Sequence, residues 1–440
     1  MTELQIGVIG FLLLGIFIYA GLHISTALLT VTFLGVWLIR GDITVAGNML
    51  GIAATDAVAE YEFGTVPLFV LMGLLVMVSG VGADSYRVAH RALRRLPGGL
   101  GHATVAGNAL FSAITGITVA AVVMFSKLAV PEMIKRGYHP RLAVGVVAGS
   151  AMLGMLIPPS ILMIIYAVLT EISIADIYNA GIVPGVILAV AFSAAIWLVA
   201  IARPDWVGSQ SRGAAGPPDA DERSLASQTV PIVALIVLVL GGMYGGVFTA
   251  TEASAFGAAG ALVIAALRRS LDIRTFWTIL IDTGYITASL ILIIASAVMF
   301  SRFLAMSGIP TFLVGWVQGM HLGLTSVMLI YVVVVLALGT ALDSTSTVLI
   351  AVPVFAPILK QLGGDLVWVG IVTMIAVEVG LITPPLGLSP FCVRASLANE
   401  EFGRTISLHD IYVGALPFAA AALLVIALLI AFPKLALLMV

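Results

Sequence analysis

The residues that most restrict how this chain can fold are two prolines, Pro158 and Pro159, set in an almost wholly apolar run over residues 107–160. A proline pair removes two backbone donors and halts a helical ladder. At membrane depth such a break survives only where the freed groups meet protein, ions or water. The same run is interrupted earlier by a hydroxyl-rich tip, Ser112, Thr115, Gly116 and Thr118. One uninterrupted helix is therefore excluded here, and a hairpin followed by a broken helix is expected.

The device recurs 226 positions later. Gly154-Met155-Leu156-Ile157-Pro158-Pro159 falls on Gly380-Leu381-Ile382-Thr383-Pro384-Pro385, Pro131 on Pro357, and Gly137 on Gly363. Further on, Ile172-Ser173-Ile174-Ala175-Asp176-Ile177-Tyr178 recurs as Ile406-Ser407-Leu408-His409-Asp410-Ile411-Tyr412, eight residues later than that shift would place it. Three ordered matches make an internal repeat, and paired Gly/Pro-interrupted apolar segments point to the binding site of a secondary transporter.

Composition sets the solvent. The 440 residues are 61% hydrophobic and 10% charged, with a mean hydropathy of +1.17. This is the profile of an all-α polytopic membrane protein and excludes a soluble enzyme. A net charge of -2 carries no nucleic-acid signature, and a single cysteine, Cys392, excludes an intrachain disulfide or a thiolate metal cluster. The six histidines show no ligand spacing, no Gly-rich phosphate loop with Lys is present, and the apolar start has no basic region of the kind that begins a cleavable signal. No catalytic residues, and so no enzyme, are expected.

Lys and Arg accumulate on cytoplasmic loops. Arg87, Arg91, Arg94 and Arg95 on one side of residues 103–127, and Lys135, Arg136 and Arg141 on the other, place both ends of that run inside, so it turns back at 112–118. The acidic, Lys- and Arg-free piece around Asp42, Asp56, Glu60 and Glu62 is placed outside, together with the N-terminus, Glu171 and Asp176. The second repeat starts with the opposite orientation, as an inverted repeat requires. The expected organisation is N-terminal scaffold helices at 1–64, a first repeat with hairpin 1 at 65–202, a linker and scaffold helices at 203–275, and a second repeat with hairpin 2 at 276–440. The count is roughly eleven spans plus two re-entrant hairpins. The polar stretch 203–227, containing Pro204, Gly213, Gly216, Pro217 and Pro218, reads as a cytoplasmic tether.

Gly339-Thr340-Ala341-Leu342-Asp343-Ser344-Thr345-Ser346-Thr347 crowds five hydroxyls and a carboxylate into apolar sequence. An intramembrane carboxylate points to an ion ligand, a proton carrier or a substrate partner; the plain alternative for Asp343 is a helix N-cap, and the two are compatible. The first tip has no charge, and its small residues also suit close helix packing. Unwound carbonyls and half-helix C-terminal ends favour Na+, amide-bearing N-terminal ends favour an anion, and oxygen-rich, His-poor tips suit a hard cation. Glu378 is a second charge within a span, read either as part of the scaffold or as a site residue.

At these blocks the chain resembles the large, DctM-like membrane subunit of TRAP (tripartite ATP-independent periplasmic) transporters. The matching stretches are residues 107–138, Leu156-Ile157-Pro158-Pro159-Ser160, Ala180-Gly181-Ile182-Val183-Pro184-Gly185, 339–357 and 378–387. The resemblance implies an elevator-type, Na+-coupled permease of the bacterial inner membrane, with no cofactor beyond Na+. It also implies two partners, a small four-helix membrane subunit and a periplasmic solute-binding protein, and a small organic anion as substrate. Carried over by motif, hairpin 1 would bind Na+ or substrate through Ser112, Thr115, Gly116, Thr118, Ile157 and Pro158. Hairpin 2 would do so through Gly339, Thr340, Asp343, Ser344, Thr383 and Pro384. The family's first tip usually reads Ser-Gly-Ser-Ser; here it is Thr115-Gly116-Ile117-Thr118, with an apolar side chain where a hydroxyl is usual. The competing reading is a stand-alone Na+/dicarboxylate symporter or ion antiporter of similar build.

Overall fold

The computed structural model describes residues 1–59, 64–116, 118–207, 225–400 and 402–440. Glu60, Glu62, Ile117 and the linker positions 208–224, with Arg212, Gly213, Gly216, Pro217 and Pro218, lie outside the described residues. Among the described residues there are helices and turns and no strand.

The first half runs α1 (Glu3–Tyr19), α2 (Ile24–Arg40), α3 (Ile43–Ala59), α4 (Thr65–Ser79), α5 (Val81–Leu93), α6 (Gly99–Thr115), α7 (Thr118–Lys135), α8 (Pro140–Ser150), α9 (Leu153–Leu156), α10 (Ile161–Thr170) and α11 (Ile174–Ala202). The second runs α12 (Leu225–Ile236), a π-helical turn at Val237–Gly241, α13 (Gly242–Tyr244), α14 (Ala250–Leu267), α15 (Ile273–Ser307), α16 (Ile309–Gly319), α17 (Leu324–Gly339), α18 (Ser344–Gln361), α19 (Leu366–Leu381), α20 (Leu388–Leu397) and α21 (Leu408–Ala431).

The 226-residue shift survives as structure: moved by that interval, Thr118–Lys135 superposes in sequence on Ser344–Gln361 end for end. Each of these arms carries its repeat-matched proline, Pro131 and Pro357, inside the helix. Both proline pairs join through cis peptide bonds. The halves interlock crosswise. Past the first break, α10 packs on α18 of the other half; past the second, α20 packs on α7. Likewise α8 lies against α21 and α19 against α11. The helix past each break thus packs on the other repeat's hairpin, while the rest of each hairpin packs on its own repeat.

Among the described residues six helices are long and apolar enough to cross a membrane, or up to eight if two bent pairs are each one span. Five shorter apolar helices of 10–17 residues stand beside them. The expected count of about eleven is therefore matched by length only in part. Two boundaries differ plainly. The apolar run 276–300, which the sequence reads as one span, lies within a 35-residue helix, α15, because nothing between Asp272, which caps its start, and Gly308, which ends it in a left-handed conformation, interrupts the ladder. The arm α18 passes the same length test, although its sequence reads as half of a hairpin.

At Gly80, φ +77° ends α4 and turns the chain by 67° into α5. The bend is held from another element: Arg268, at the end of α14, donates to the Ser79 carbonyl at 3.1 Å and lies 2.6 Å from the buried Asp84 carboxylate. That ion pair falls outside hydrogen-bond geometry, whereas Arg87 bonds the other Asp84 oxygen at 3.2 Å. Burial is deepest in α19, where every residue from Val367 to Leu381 is buried. By contrast α11, α12 and α14 turn apolar side chains such as Val190, Trp197, Val233 and Val263 outward, a surface that fits lipid and not water.

Candidate functional site

At the first tip, α6 ends with Gly116 in the left-handed region at φ +63°, its amide bonding the Ser112 carbonyl at 3.0 Å. Glycine is required here twice over. An L side chain is strained at that φ, and a Cβ would drive into the carbonyl oxygen of Pro159. The hairpin tip and the proline break therefore touch backbone to backbone. Beneath them Gly154 leaves room for two hydroxyls: a Cβ there would lie 3.2 Å from Thr118 Oγ1 and 3.3 Å from Ser112 Oγ. Both hydroxyls are buried and have no hydrogen-bond partner. Thr115 does not join them, since its hydroxyl bonds the Phe111 carbonyl of its own helix at 2.9 Å.

The first break is enclosed. Pro158, Pro159 and Ser160 are buried, Ser160 caps α10 through the Met163 amide, and the Tyr178 hydroxyl donates to the Ser160 carbonyl at 3.3 Å. Ile157, half-buried, closes the last turn of α9 by bonding the Leu153 carbonyl at 2.9 Å.

The second tip is built differently. Its four-residue connection, 340–343, ends at Asp343, whose Oδ2 accepts from the Thr345 and Ser346 amides at 3.1 and 3.3 Å while the Ser346 hydroxyl donates to Oδ1. Asp343 is thus the N-cap of α18, and it is exposed. Thr340 bonds back to Ala337 at 2.8 Å and Thr383 to Val379 at 2.6 Å, each within its own helix. Gly339 packs against α19 at Gly380, where a Cβ on Gly380 would meet Gly339 Cα at 2.8 Å. Pro384 and Pro385 are exposed, and the Tyr412 hydroxyl donates to the Pro385 carbonyl at 3.4 Å.

The two tips meet at a residue that the motif reasoning left aside. Glu378, one turn before the second break, is 1% exposed. Ser344, first residue of α18, donates to its Oε1 at 3.4 Å, and Thr118, first residue of α7, presents its hydroxyl to the same carboxyl outside hydrogen-bonding geometry. Thr118 and Ser344 are matched positions of the repeat. The structure therefore gathers Ser112, Gly116, Thr118 and Pro158-Pro159 around Gly154, and Ser344 and Gly339 against α19, while Thr115, Thr340, Asp343 and Thr383 spend their hydroxyls or carboxylate locally. Gly154 and Gly380 were visible as a matched pair in the repeat; that they are the floor of each tip was not. Among the described residues no three His, Cys, Asp or Glu side chains come together, so a cation here would be held by hydroxyls, carbonyls and single carboxylates.

Residues 6–435 match the family described as "Tripartite ATP-independent periplasmic transporter, DctM component". The chain is 31% identical over 368 residues to the C4-dicarboxylate TRAP transporter large permease protein DctM of Pseudomonas aeruginosa, covering 81% of this chain and 82% of that one. It is 30% identical over 433 residues, 97% of each, to the ectoine/5-hydroxyectoine TRAP transporter large permease protein UehC of Ruegeria pomeroyi. To the sialic acid TRAP transporter permease protein SiaT of Haemophilus influenzae it is 26% identical, over 95% of this chain and 66% of that protein. Among solved structures, MtrF of Neisseria gonorrhoeae aligns with a TM-score of 0.61 at 14% identity, over 87% of this chain and 83% of that one. The YdaH transporter of Alcanivorax borkumensis aligns with a TM-score of 0.57 at 16% identity, over 86% of each. Those two likenesses concern the fold, a membrane-transporter fold, and the sequence match carries the assignment: the chain belongs to the TRAP transporter family as a DctM-type large permease subunit.

Proposed function

We propose that this subunit carries out Na+-coupled uptake of a small organic acid across the bacterial inner membrane, by an elevator-type movement of the domain that holds both hairpins. The observation that carries the reading is the contact of a left-handed glycine tip with a proline-broken helix, Gly116 on Pro159, over two unpartnered hydroxyls. Broken half-helices of this kind present free carbonyls to a cation and free amides to an anion. Relatives named for C4-dicarboxylate, ectoine and sialic acid support a carboxylate-bearing substrate. That breadth fits selection of the substrate by a separate periplasmic binding protein, with a small membrane subunit bracing the scaffold; in one relative, named DctMQ, a single permease protein spans about one and a half times this length.

Energy requires a coupling ion. An anion moving inward opposes the membrane potential by about 2.3 kcal/mol per charge per 100 mV, so more cation charge than substrate charge must enter with it. The test is uptake, in cells carrying the large and small subunits and the binding protein, of a panel of C4-dicarboxylates, ectoine and sialic acid against external Na+ at fixed pH. Thr383 gives its hydroxyl proton to Val379 but keeps oxygen lone pairs free, so Thr383→Val is expected to raise the Na+ needed for half-maximal uptake, by about tenfold if one ligand worth roughly 1.4 kcal/mol is lost. Asp343→Asn keeps an N-cap acceptor and is expected to weaken coupling without unfolding α18. Uptake that follows a pH gradient and ignores Na+ overturns the ion assignment.

A further inference from the structure

The long helix α15 is covered on one side only. It packs chiefly on α2, α3 and α4, and Ile279, Thr283 and Ile293 are buried on that side. On the other side an exposed residue recurs every three or four positions, from Ile273 through Trp277, Ile281, Tyr285 and Ala288 to Leu292. At 100° and 1.5 Å per residue these positions fill about a third of the circumference and run about 28 Å along the axis, close to the thickness of a bilayer core. Within the same face Gly284 has no atom within 4 Å of where a Cβ would stand, and a small residue on a spanning face lets a second backbone come close.

This face is not merely apolar. Along its edge α15 and α4 enclose a cleft of about 280 Å³, with Leu74, Met77 and Val78 as one wall and Arg274, Thr278 and Asp282, on successive turns, as the other. Asp282 is exposed and has no hydrogen-bond or ion-pair partner among the described residues. Leu74 lies five residues before the end of α4 at Ser79, so the carboxylate that shares its cleft is set inside the span and not at its mouth. A charge so placed calls for a partner. A lipid acyl chain at that depth offers no donor. A second copy of this chain, related by an axis along the bilayer normal, would bring Asp282 towards Asp282 at equal depth, where like charges repel. A different helix that carries a cation meets the requirement.

We propose that the uncovered face of α15, with the cleft against α4, is the seat of the small membrane subunit, which lays one spanning helix along it and sets a Lys or Arg side chain against Asp282. Arg274, two turns nearer the start of α15, selects the opposite sign at its own level, so the two charges fix the depth and direction of the incoming helix. The seat lies on α4 and α15, each of which ends in a left-handed glycine, Gly80 and Gly308, that turns the chain towards a hairpin. A helix fastened here braces the frame at both points where it hands over to the hairpins.

The inference rests on the two-subunit reading, and its test separates the two. The full chain is co-expressed with its small subunit, the small subunit alone carries the affinity tag, and the large subunit recovered with it is measured. Asp282→Lys is expected to lower that recovery about tenfold or more. Trp277→Cys and Tyr285→Cys, each in a Cys392→Ser background and modified with a photoreactive thiol reagent, are expected to cross-link to the small subunit, and Val190→Cys, on the exposed side of α11, is not. If the small subunit recovers no wild-type large subunit, the two-subunit reading itself falls. If it recovers wild type and Asp282→Lys equally, this seat alone is overturned. Cross-links from 277 and 285 to a second large subunit, or to lipid only, overturn it too. Should Asp282→Lys fail to fold, Gly284→Leu decides, because its side chain enters open space in the isolated chain: a folded variant with lost recovery supports the seat, and unchanged recovery overturns it.

Discussion

Gly116 shows how much can depend on a missing side chain. Its left-handed φ alone costs an L residue about 1–2 kcal/mol, and the collision with the Pro159 carbonyl adds to this. Gly116→Val should therefore separate tip from break. We expect an unfolding temperature lower by several degrees and uptake close to background, both read on the same membranes. Gly363 is a useful contrast, since it is left-handed at φ +83° with open space around its Cα. Gly363→Ala should pay only the backbone strain, lowering stability by about 1–2 kcal/mol while uptake persists. The sequence marks both glycines equally; only the three-dimensional neighbour, a carbonyl from another helix, separates them. Glu378, visible in the sequence as a second intramembrane charge, stays undecided there between scaffold and site for the same reason. A lone acid in an apolar run looks alike whether it faces scaffold or site, and what distinguishes it is Thr118, 260 positions away along the chain. Asp343, the more conspicuous acid in sequence, proves to cap its helix.

Among elements, the α4–α5 bend and the end of α14 form a joint pinned by charge. Asp84 is 1% exposed and Arg268 16%. Removing one member of so buried a pair costs about 3–5 kcal/mol, because the other is left uncompensated. Asp84→Ala should accordingly lower the unfolding temperature in detergent far more than Glu132→Ala, which breaks an i,i+4 pair between half-exposed side chains worth about 0.5 kcal/mol or less. Equal effects would show that Asp84 is not what holds the bend. Helix positions were the most legible part of the chain. Gly80, Gly98, Pro140, Asp272 and Gly308 punctuate it in the ways glycine, proline and cap residues do. The crosswise packing of α10 on α18 and α20 on α7 was not legible, since a repeat in sequence says that two units are alike and not which unit's arm lies against which.

For the whole molecule, the basic residues give a testable sidedness. Arg268 meets the start of α5, and His139 stacks on Trp206 at 4.9 Å just past the end of α11. In a Cys392→Ser background, Arg91→Cys and Asp176→Cys should label with an impermeant thiol reagent from opposite faces of the membrane; labelling from one face overturns the hairpin assignment. The proposed partnership makes a further prediction: the large subunit alone in liposomes should transport at a small fraction of the rate of the complete system, because the moving domain lacks a braced frame.

The two proline breaks are equivalent in sequence and unequal in surroundings. One is covered by Tyr178 and the tip of hairpin 1, the other stands open with Pro384, Pro385 and Leu386 exposed. Under the proposed cycle this inequality is a record of phase. Exchanging the two environments would generate a second conformer from contacts of the same kinds, so the molecule would need no separate blueprint for its other face. A bulky probe attached at Leu386→Cys would then act as a doorstop, halting the cycle in the half where that break is open, whereas the same probe at Ile157→Cys would find its position largely covered until the phase reverses.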